Sequence, residues 1–386
     1  MRLPLIAAVL AAVPALAACT QNTTATTATE DDRTITVSST DDGCEVSSTK
    51  APSGKLTFDV TNDGSQVTEF YLYTGDGKRI LGEVENIGPN LTRQLVVNAP
   101  AGSYLTACKP GMKGTGIRAD FTVTDSGEKV STSADEQKMV DHAQEEYGEF
   151  VQQQSDQLLA RTTAFVKAYK AGQDGTARAL YPVARTHWER IETVAESFGD
   201  LDPKMDAREA DLEQGQKWTG WHRIEKDLWP ARAGKYESLT AQERARYADD
   251  LLANTRTLDG RIGKLDFTVD QIANGSRGLM EEVAKGKVTG EEEYWSRTDL
   301  WDFQANVDGA KKAFEVLEPV LERNDPALEH TLEERFDALQ VLLDRQRDGS
   351  GFTSYDDLSS AEVKRLADAV NALAEPLSQL TSAVLS

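Results

Sequence analysis

Residues 147–172 read YGEFVQQQSDQLLARTTAFVKAYKAG, and their apolar side chains recur at the spacing of one helix face. The residues that fall mostly on this stripe are Tyr147, Phe150, Val151, Leu158, Phe165, Val166 and Tyr169. The pattern ends at Gly172, and glycine commonly follows the last turn of a helix. The stretch therefore predicts a long amphipathic helix with one buried face.

Helical periodicity continues toward the C-terminus, with Gly, Pro and Asp between the periodic stretches. The predicted helices cover roughly 174–198, 211–229, 240–258, 268–286, 298–323, 327–347 and 359–384. Successive helices with short connections pack side by side around a shared core. We therefore predict an all-α bundle over residues 139–386.

A different pattern occupies residues 33–125, where short runs rich in β-branched and aromatic residues alternate with turn clusters such as NDG at 62–64. The runs are 34–37, 56–60, 70–73, 91–97 and 121–124. Short strands separated by turns predict a small antiparallel β-sandwich. Residues 126–138 are predicted to be a linker, so the chain is multidomain, an all-β sandwich followed by an all-α bundle.

The N-terminus has the composition of an export signal. Arg2 precedes the apolar run LPLIAAVLAAVPALAA, which is too short for a membrane-spanning helix and ends in small residues. Leu16-Ala17-Ala18-Cys19 resembles a lipobox, in which a bacterial lipoprotein is cut after the small residue and its new N-terminal cysteine is lipidated. We therefore predict a signal peptide over 1–18, lipidation of Cys19, a polar tether over 19–32, and an extracytoplasmic protein held to the cell membrane by lipid.

The charge balance restricts the classes of partner. The chain has 64 acidic and 42 basic residues, a net charge of −22. Such a field repels nucleic acid and anionic lipid headgroups and concentrates cations. A nucleic-acid partner is therefore excluded, and a cation or a basic partner is favoured.

The motif GWHRIEKDLW at 220–229 places His222 and Glu225 three residues apart. Residues at this spacing lie on one helix face, so both side chains can reach one point in a bundle, as Glu-x-x-His pairs do in carboxylate-bridged metal proteins. The alternative is a core histidine beside an ordinary acid, because single polar pairs at this spacing are common on helices.

A second acidic pair repeats the spacing. Glu189 and Glu192 precede the motif by one predicted helix, and further acids follow within twenty residues: Asp202, Asp206, Glu209 and Asp211. Two such helices packed antiparallel could bring four ligands together. The alternative is an ion pair on the surface, because Arg185 lies four residues before Glu189.

Three segments together resemble the imelysin-like domain of EfeO-type iron-uptake lipoproteins. They are YPVARTHWERIETVAESFGDLDPKMDARE at 181–209, the HxxE element within 220–229, and KVTGEEEYWSRTDLWDFQANVDGAKKAF at 287–314. Proteins of this kind also carry a cupredoxin-like domain in front, so the resemblance covers nearly the whole mature chain. It implies a metal site that contains His222 and Glu225, with Glu189, Glu192 and Asp206 as companions and Glu291 or Glu292 as a further ligand.

The N-terminal domain has a separate candidate site. CKPGM at 108–112 resembles the ligand loop of a cupredoxin, but no histidine precedes residue 142, so a blue-copper site with two histidines is excluded. Two hypotheses remain open. Cys44 and Cys108 form a disulfide, which would stabilise the sandwich by roughly 4 kcal/mol, or they bind copper or a second iron together with Met112 and Glu69.

The resemblance implies a binding protein rather than an enzyme, which captures Fe²⁺ or Fe³⁺ in the helical domain. Its implied partners are an EfeU-type permease and an EfeB-type haem peroxidase. One rival hypothesis is a metallopeptidase, which HRIE does not favour because it lacks the second histidine of HExxH. The other is a polysaccharide-binding module that uses bridging cations.

Overall fold

The computed structural model describes residues 33–77, 80–112, 114–127, 134–192, 199–212 and 215–385. The predicted signal peptide, Cys19 and the tether up to residue 32 lie outside this part of the chain. Within it, none of the helices combines the length and the hydropathy that a membrane span requires.

The N-terminal domain consists of nine strands within its described residues. They are β1 (Thr34–Ser39), β2 (Cys44–Val46), β3 (Lys50–Pro52), β4 (Gly54–Asn62), β5 (Thr68–Thr74), β6 (Ile80–Ile87), β7 (Thr92–Ala99), β8 (Gly102–Cys108) and β9 (Ile117–Thr124). They form a four-stranded sheet in the order β2-β1-β4-β7 and a five-stranded sheet in the order β3-β9-β8-β5-β6. The predicted all-β domain is confirmed.

The sandwich core lies between the two sheets. Phe58 of β4 contacts Phe70 of β5 and Phe121 of β9, with ring centroids 5.2 and 5.5 Å apart. The prediction of a purely antiparallel sandwich is wrong, because β1 pairs with β4 and β3 pairs with β9 in parallel. The predicted runs omit β2, β3, β6 and β8. Of these, β2 and β3 have only three residues, which are too few to show alternation.

Cys44 and Cys108 are joined by a disulfide that connects the first sheet to the second. Of the two hypotheses for these cysteines, the structure has the disulfide, so neither sulfur is a thiolate ligand. Glu69 is buried and accepts a hydrogen bond from the Tyr71 hydroxyl at 2.9 Å. Met112 is half-buried, with a left-handed backbone in the turn after β8.

The C-terminal domain is helical, as predicted. Its helices are α1 (Ala134–Lys170), α2 (Asp174–Glu189), α3 (Asp202–Met205), α4 (Trp221–Leu228), α5 (Ala241–Ile262), α6 (Val269–Lys285), α7 (Asp299–Asn324), α8 (Pro326–Asp344) and α9 (Ser360–Val384). A two-stranded hairpin, β10 (Arg347–Asp348) and β11 (Gly351–Phe352), lies between α8 and α9. The apolar faces of the helices meet in one continuous core.

Two predicted boundaries in this domain are wrong. Helix α1 begins at Ala134, inside the predicted linker. The negative side chains of Asp135 and Glu136 in its first turn interact favourably with the positive end of the helix dipole. Among the described residues of 211–229, the α-helix covers only α4, because Gly215 and Gly220 have φ angles of +89° and +87°. A left-handed backbone at these glycines cannot continue a right-handed helix.

The domains contact each other through α6, which packs against β6 and β7. The Arg277 guanidinium donates to the carbonyl oxygens of Gln94 and Glu83 at 2.9 and 3.1 Å, and the Asn274 side chain donates to the Val96 carbonyl at 2.9 Å. These bonds satisfy backbone oxygens at the edge of the sandwich. The same helix ends beside the acidic cluster described next.

Candidate metal centre

A cluster of acidic side chains lies inside the helical domain, each less than a tenth exposed. Its members are Glu189, Glu192, Asp206, Glu225, Glu292, Glu293, Asp299 and Asp302. The fully buried basic side chains beside them are Arg185, His222 and Lys287. Burying ionised carboxylates is costly unless each is paired, so eight acids with three basic groups have an excess of acceptor groups. Protons or a further cation would neutralise the excess negative charge of the cluster.

Two glycines allow the elements of this cluster to approach closely. A Cβ at Gly220 would lie 2.1 Å from the Met205 carbonyl oxygen, so only glycine lets the start of α4 pack against the end of α3. A Cβ at Gly309 of α7 would lie 2.5 Å from the Arg190 carbonyl oxygen at the end of α2. These contacts bring His222 to Asp206 and bring α7 to Glu189.

His222 is fully buried and turns its two ring nitrogens toward different carboxylates. Nδ1 lies 3.2 Å from Oε2 of Glu225. Nε2 lies 3.4 Å from Oδ1 of Asp206 and 3.3 Å from Oε1 of Glu292, but it has no hydrogen-bond partner of good geometry. A buried imidazole nitrogen that lies between two carboxylate oxygens, at distances longer than a normal hydrogen bond, has the surroundings of a metal ligand.

Within the cluster, Glu225 holds the imidazole ring in its orientation. Its Oε1 accepts hydrogen bonds from the backbone N–H groups of Trp295 and Ser296 at 2.8 and 2.6 Å. The other oxygen, Oε2, faces Nδ1 of His222. Metal-binding histidines usually have their second nitrogen held by a carboxylate in this way, which fixes the ring and its tautomer. The HxxE motif therefore supplies His222 as a candidate ligand and Glu225 as the residue that orients it.

The carboxylates that face Nε2 come from two separate segments. Asp206 follows α3 and also accepts from the Trp188 indole at 2.8 Å and from Arg185. Glu292 lies in the loop before α7, and its other oxygen is 3.4 Å from Nη1 of Arg208. Nearby cations lower the pKa of both acids in spite of their burial, so both are ionised at neutral pH.

Arg185 is the central counter-ion of the cluster. Its Nε lies 2.7 Å from Glu293 and 3.1 Å from Asp302, and its two terminal nitrogens contact Asp206 and Glu189. The sequence alternative of an Arg185–Glu189 pair is therefore confirmed in part. The pair exists, but it is fully buried rather than on the surface. One guanidinium, with its rigid fork of donors, ties α2 to three other segments.

Lys287 neutralises the other side of the cluster. Its Nζ lies 2.6 Å from Oε2 of Glu189, 2.9 Å from Oε2 of Glu192 and 3.4 Å from Oε1 of Glu282. The Asn306 amide donates to the same two oxygens of Glu189 and Glu192 at 3.3 and 3.2 Å. The predicted Glu189–Glu192 pair does converge, and the structure places an internal ammonium group between the two carboxylates.

Glu293 and Asp302 belong to the cluster, although neither is among the predicted site residues. Burial raises the pKa of each carboxyl well above its usual range, and neighbouring acids add to the effect. Glu293 accepts from Tyr181 at 3.1 Å and from Ser296 at 2.6 Å. Asp302 follows Asp299 by three residues on α7, the same spacing that drew attention to the other pairs. That signal was available in the sequence.

Glu291 and the other acids noted near the motif lie outside the cluster. Glu291 is exposed, so Glu292 is the member of the acidic triplet that faces His222. Glu209 is exposed and pairs with Lys226, and Asp211 is exposed and pairs with Arg208. Asp202 is partly exposed, and its pKa is raised to about 8 by burial and by the charges of Asp206 and Glu282.

The protonation of His222 follows from this environment. Burial and the Arg185 charge oppose an imidazolium, but the contacts with Glu225, Glu292 and Asp206 outweigh them and raise the pKa of His222 to about 10. Without a bound cation, the ring therefore carries its own positive charge at neutral pH. A metal ion that takes Nε2 must displace that proton.

Three groups of side chains in the described residues have ligand atoms within 4.8 Å of one another. They are Asp206-His222-Glu292, His222-Glu225-Glu293 and Glu189-Glu192-Asp206. The first contains Nε2 of His222, which has no well-formed hydrogen bond, so it is the best candidate for a metal centre. A single imidazole with carboxylate oxygens suits iron, manganese or zinc and does not suit Cu(I).

Comparison with known proteins agrees with this architecture. The imelysin family model matches residues 143–380, and the cupredoxin-like domain model matches residues 7–123. A Yersinia pestis protein named "Iron uptake system component EfeO" is 37% identical over 350 residues, which are 90% of each chain. An Escherichia coli O1:K1 / APEC protein of the same name is 35% identical over 349 residues, again 90% of each.

A third relative extends the comparison to another group of bacteria. The Staphylococcus haemolyticus (strain JCSC1435) protein named "Efem/EfeO family lipoprotein" is 39% identical over 279 residues, 72% of this chain and 93% of the relative. The present chain therefore belongs to the Efem/EfeO family of imelysin proteins, with a cupredoxin-like domain in front of its imelysin domain.

Proposed function

We propose that this protein is the lipid-anchored, extracytoplasmic iron-binding component of an iron uptake system. It captures iron in its helical domain and delivers the ion to a membrane permease. The names of the Yersinia and Escherichia relatives support a role in iron uptake, and the name of the Staphylococcus relative supports the lipid anchor. In this role the ion is cargo and the protein performs no chemical conversion.

The proposed ligands are Nε2 of His222 and the facing carboxylates of Asp206 and Glu292. Glu225 holds the imidazole, and the Glu189–Glu192 pair supplies further acidic oxygens next to Asp206. The observation that carries this assignment is the buried Nε2, which lies between two carboxylate oxygens without a well-formed hydrogen bond to either. An iron ion there would bond the nitrogen and replace the positive charge of the imidazolium.

The donor set favours binding over peptide hydrolysis. A zinc peptidase of the HExxH type takes two histidine ligands from one helix, with the glutamate as general base. His142 and His330 are exposed and lie outside the cluster, and His187 is half-buried against Gln154. His222 thus supplies the imidazole of the candidate centre, and its neighbouring Glu225 is already bound to backbone N–H groups.

The proposed partners follow from the family. The lipid on Cys19 would hold the protein beside an EfeU-type permease, and an EfeB-type haem peroxidase would link oxidation of ferrous iron to its uptake. The cupredoxin-like domain would serve docking rather than copper binding, because its two cysteines are joined in a disulfide.

Titration of the purified mature protein with ferrous iron under anaerobic conditions tests this function. We expect saturable binding, measured by calorimetry, and no cleavage of peptide substrates in the presence of iron or zinc. The absence of binding to ferrous and to ferric iron would contradict the proposal, and metal-dependent peptide cleavage would favour the metallopeptidase hypothesis.

We further expect the iron affinity to increase with pH. Because the pKa of His222 is raised to about 10 in the ion-free protein, the ring must lose a proton when iron binds. The affinity should therefore rise by about tenfold per pH unit between about pH 6 and pH 8. Calorimetry in buffers of different ionisation enthalpy would measure the released proton. A pH-independent affinity with no proton release would contradict this prediction.

A further inference from the structure

Lys287 has an unusual position for a lysine. The residue lies in a single helical turn, Lys287–Thr289, directly after α6, and its side chain is fully buried. Lysine almost never has such burial unless it is paired, because its ammonium group is strongly hydrated. Here Lys287 pairs with acids that belong to the candidate metal centre. Its ion pairs therefore differ from those that only stabilise a fold.

The ammonium group lies where a cation would bind. Glu189 and Glu192 direct their Oε2 atoms at Nζ from 2.6 and 2.9 Å, and the same two residues with Asp206 form one of the three groups able to hold a metal ion. Two cations that share the same oxygens repel each other strongly in a buried site. An ion that uses these acids therefore competes with Lys287.

A second acceptor for the ammonium group is already within reach. Oε1 of Glu282 lies 3.4 Å from Nζ, and the Glu282 side chain is 29% exposed, whereas Glu189 and Glu192 are buried. Glu282 belongs to the last turn of α6, five residues before the lysine. A small rotation of the long lysine side chain would thus move its charge from the buried pair toward a carboxylate that water also reaches.

We propose that Lys287 is an internal counter-ion that sets the cation affinity of the cluster. It neutralises Glu189 and Glu192 in the ion-free protein and moves toward Glu282 when a cation takes their oxygens. This inference rests on the proposed function. It adds that part of the binding free energy is used to displace the lysine, so the protein holds its cargo less tightly than the same acids would alone.

The test compares Lys287→Met with Lys226→Met, which removes an equal charge from the neighbouring helix α4. Lys226 pairs with the exposed Glu209 and does not contact the cluster acids. We expect Lys287→Met to bind ferrous iron at least about 10-fold more tightly than the parent or to bind one additional ion per chain. Lys226→Met should bind as the parent does. Zn²⁺ serves as a redox-inert second probe in the same calorimetric titrations.

A purely structural role gives the opposite result. If Lys287 only holds the fold together, Lys287→Met would bind the ion with unchanged or weaker affinity, and that outcome would overturn the inference. Should Lys287→Met fail to fold, Glu282→Gln provides the test in a half-exposed position. It removes the second acceptor, so the inference requires weaker ion binding, whereas unchanged binding contradicts it. If the parent itself binds no ion, the proposed function fails instead.

Discussion

Replacement of His222 by alanine is expected to lower the iron affinity by at least about 100-fold, which corresponds to about 3 kcal/mol of binding free energy. The reason is that Nε2 is the nitrogen donor that faces Asp206 and Glu292, and its loss leaves carboxylates alone to hold the ion. Anaerobic calorimetry on the parent and the variant measures the effect directly.

The matched control for this variant is His187→Ala. His187 belongs to the same domain and is half-buried, but its Nδ1 contacts Gln154 and its side chain takes no part in the acidic cluster. We expect His187→Ala to bind iron with the parent affinity. If both histidine variants bind alike, while circular dichroism shows that both are folded, His222 is not a ligand.

The second large effect concerns stability. Substitution of Arg185 by leucine is expected to destabilise the helical domain by at least about 3 kcal/mol, because it removes the positive charge from several buried acids at once. Asp206, Glu293 and Asp302 would each lose their guanidinium contact without gaining access to water. Urea unfolding followed by the helical circular-dichroism signal measures the change in the free energy of unfolding.

Arg190→Leu is the control for this substitution. Arg190 lies five residues later and pairs with Asp308, but the two side chains are 26% and 33% exposed. Water screens such a pair, so its loss should cost less than about 1 kcal/mol. Equal destabilisation by both variants would show that burial of the Arg185 network has no special energetic weight.

The candidate site could be predicted from the sequence only in part. The spacing of His222 and Glu225 did indicate a shared helix face, because three residues nearly complete a helical turn. It could not indicate that Glu225 would be bound by the backbone N–H groups of Trp295 and Ser296. That outcome depends on a loop seventy residues away, whose conformation local periodicity does not specify.

The acidic triplet at 291–293 shows the same limit. All three residues are glutamate, yet Glu291 is exposed, Glu292 faces His222 and Glu293 faces Arg185. The direction of each side chain depends on the irregular loop between the turn at 287–289 and α7, for which no sequence period exists. Similarly, Lys287 resembles a surface lysine in the sequence, and it is buried because the turn at 287–289 packs against α6, α7 and α9.

The fold was more accessible to sequence reasoning. Long amphipathic stretches gave the helices of the bundle, because 3.6-residue periodicity sustained over many turns is unambiguous. Gly220 falls inside the predicted helix over 211–229, because the residues around it have suitable helix propensities. The close approach of this residue to the Met205 carbonyl, which requires glycine, is a tertiary constraint.

Anomalous diffraction at the iron edge, from crystals of the mature protein, would locate the bound ion. We expect an anomalous peak about 2.0–2.3 Å from Nε2 of His222, in contact with oxygens of Asp206 and Glu292. A peak elsewhere in the protein, with His222 still turned toward an ion-free cluster, would contradict this expectation.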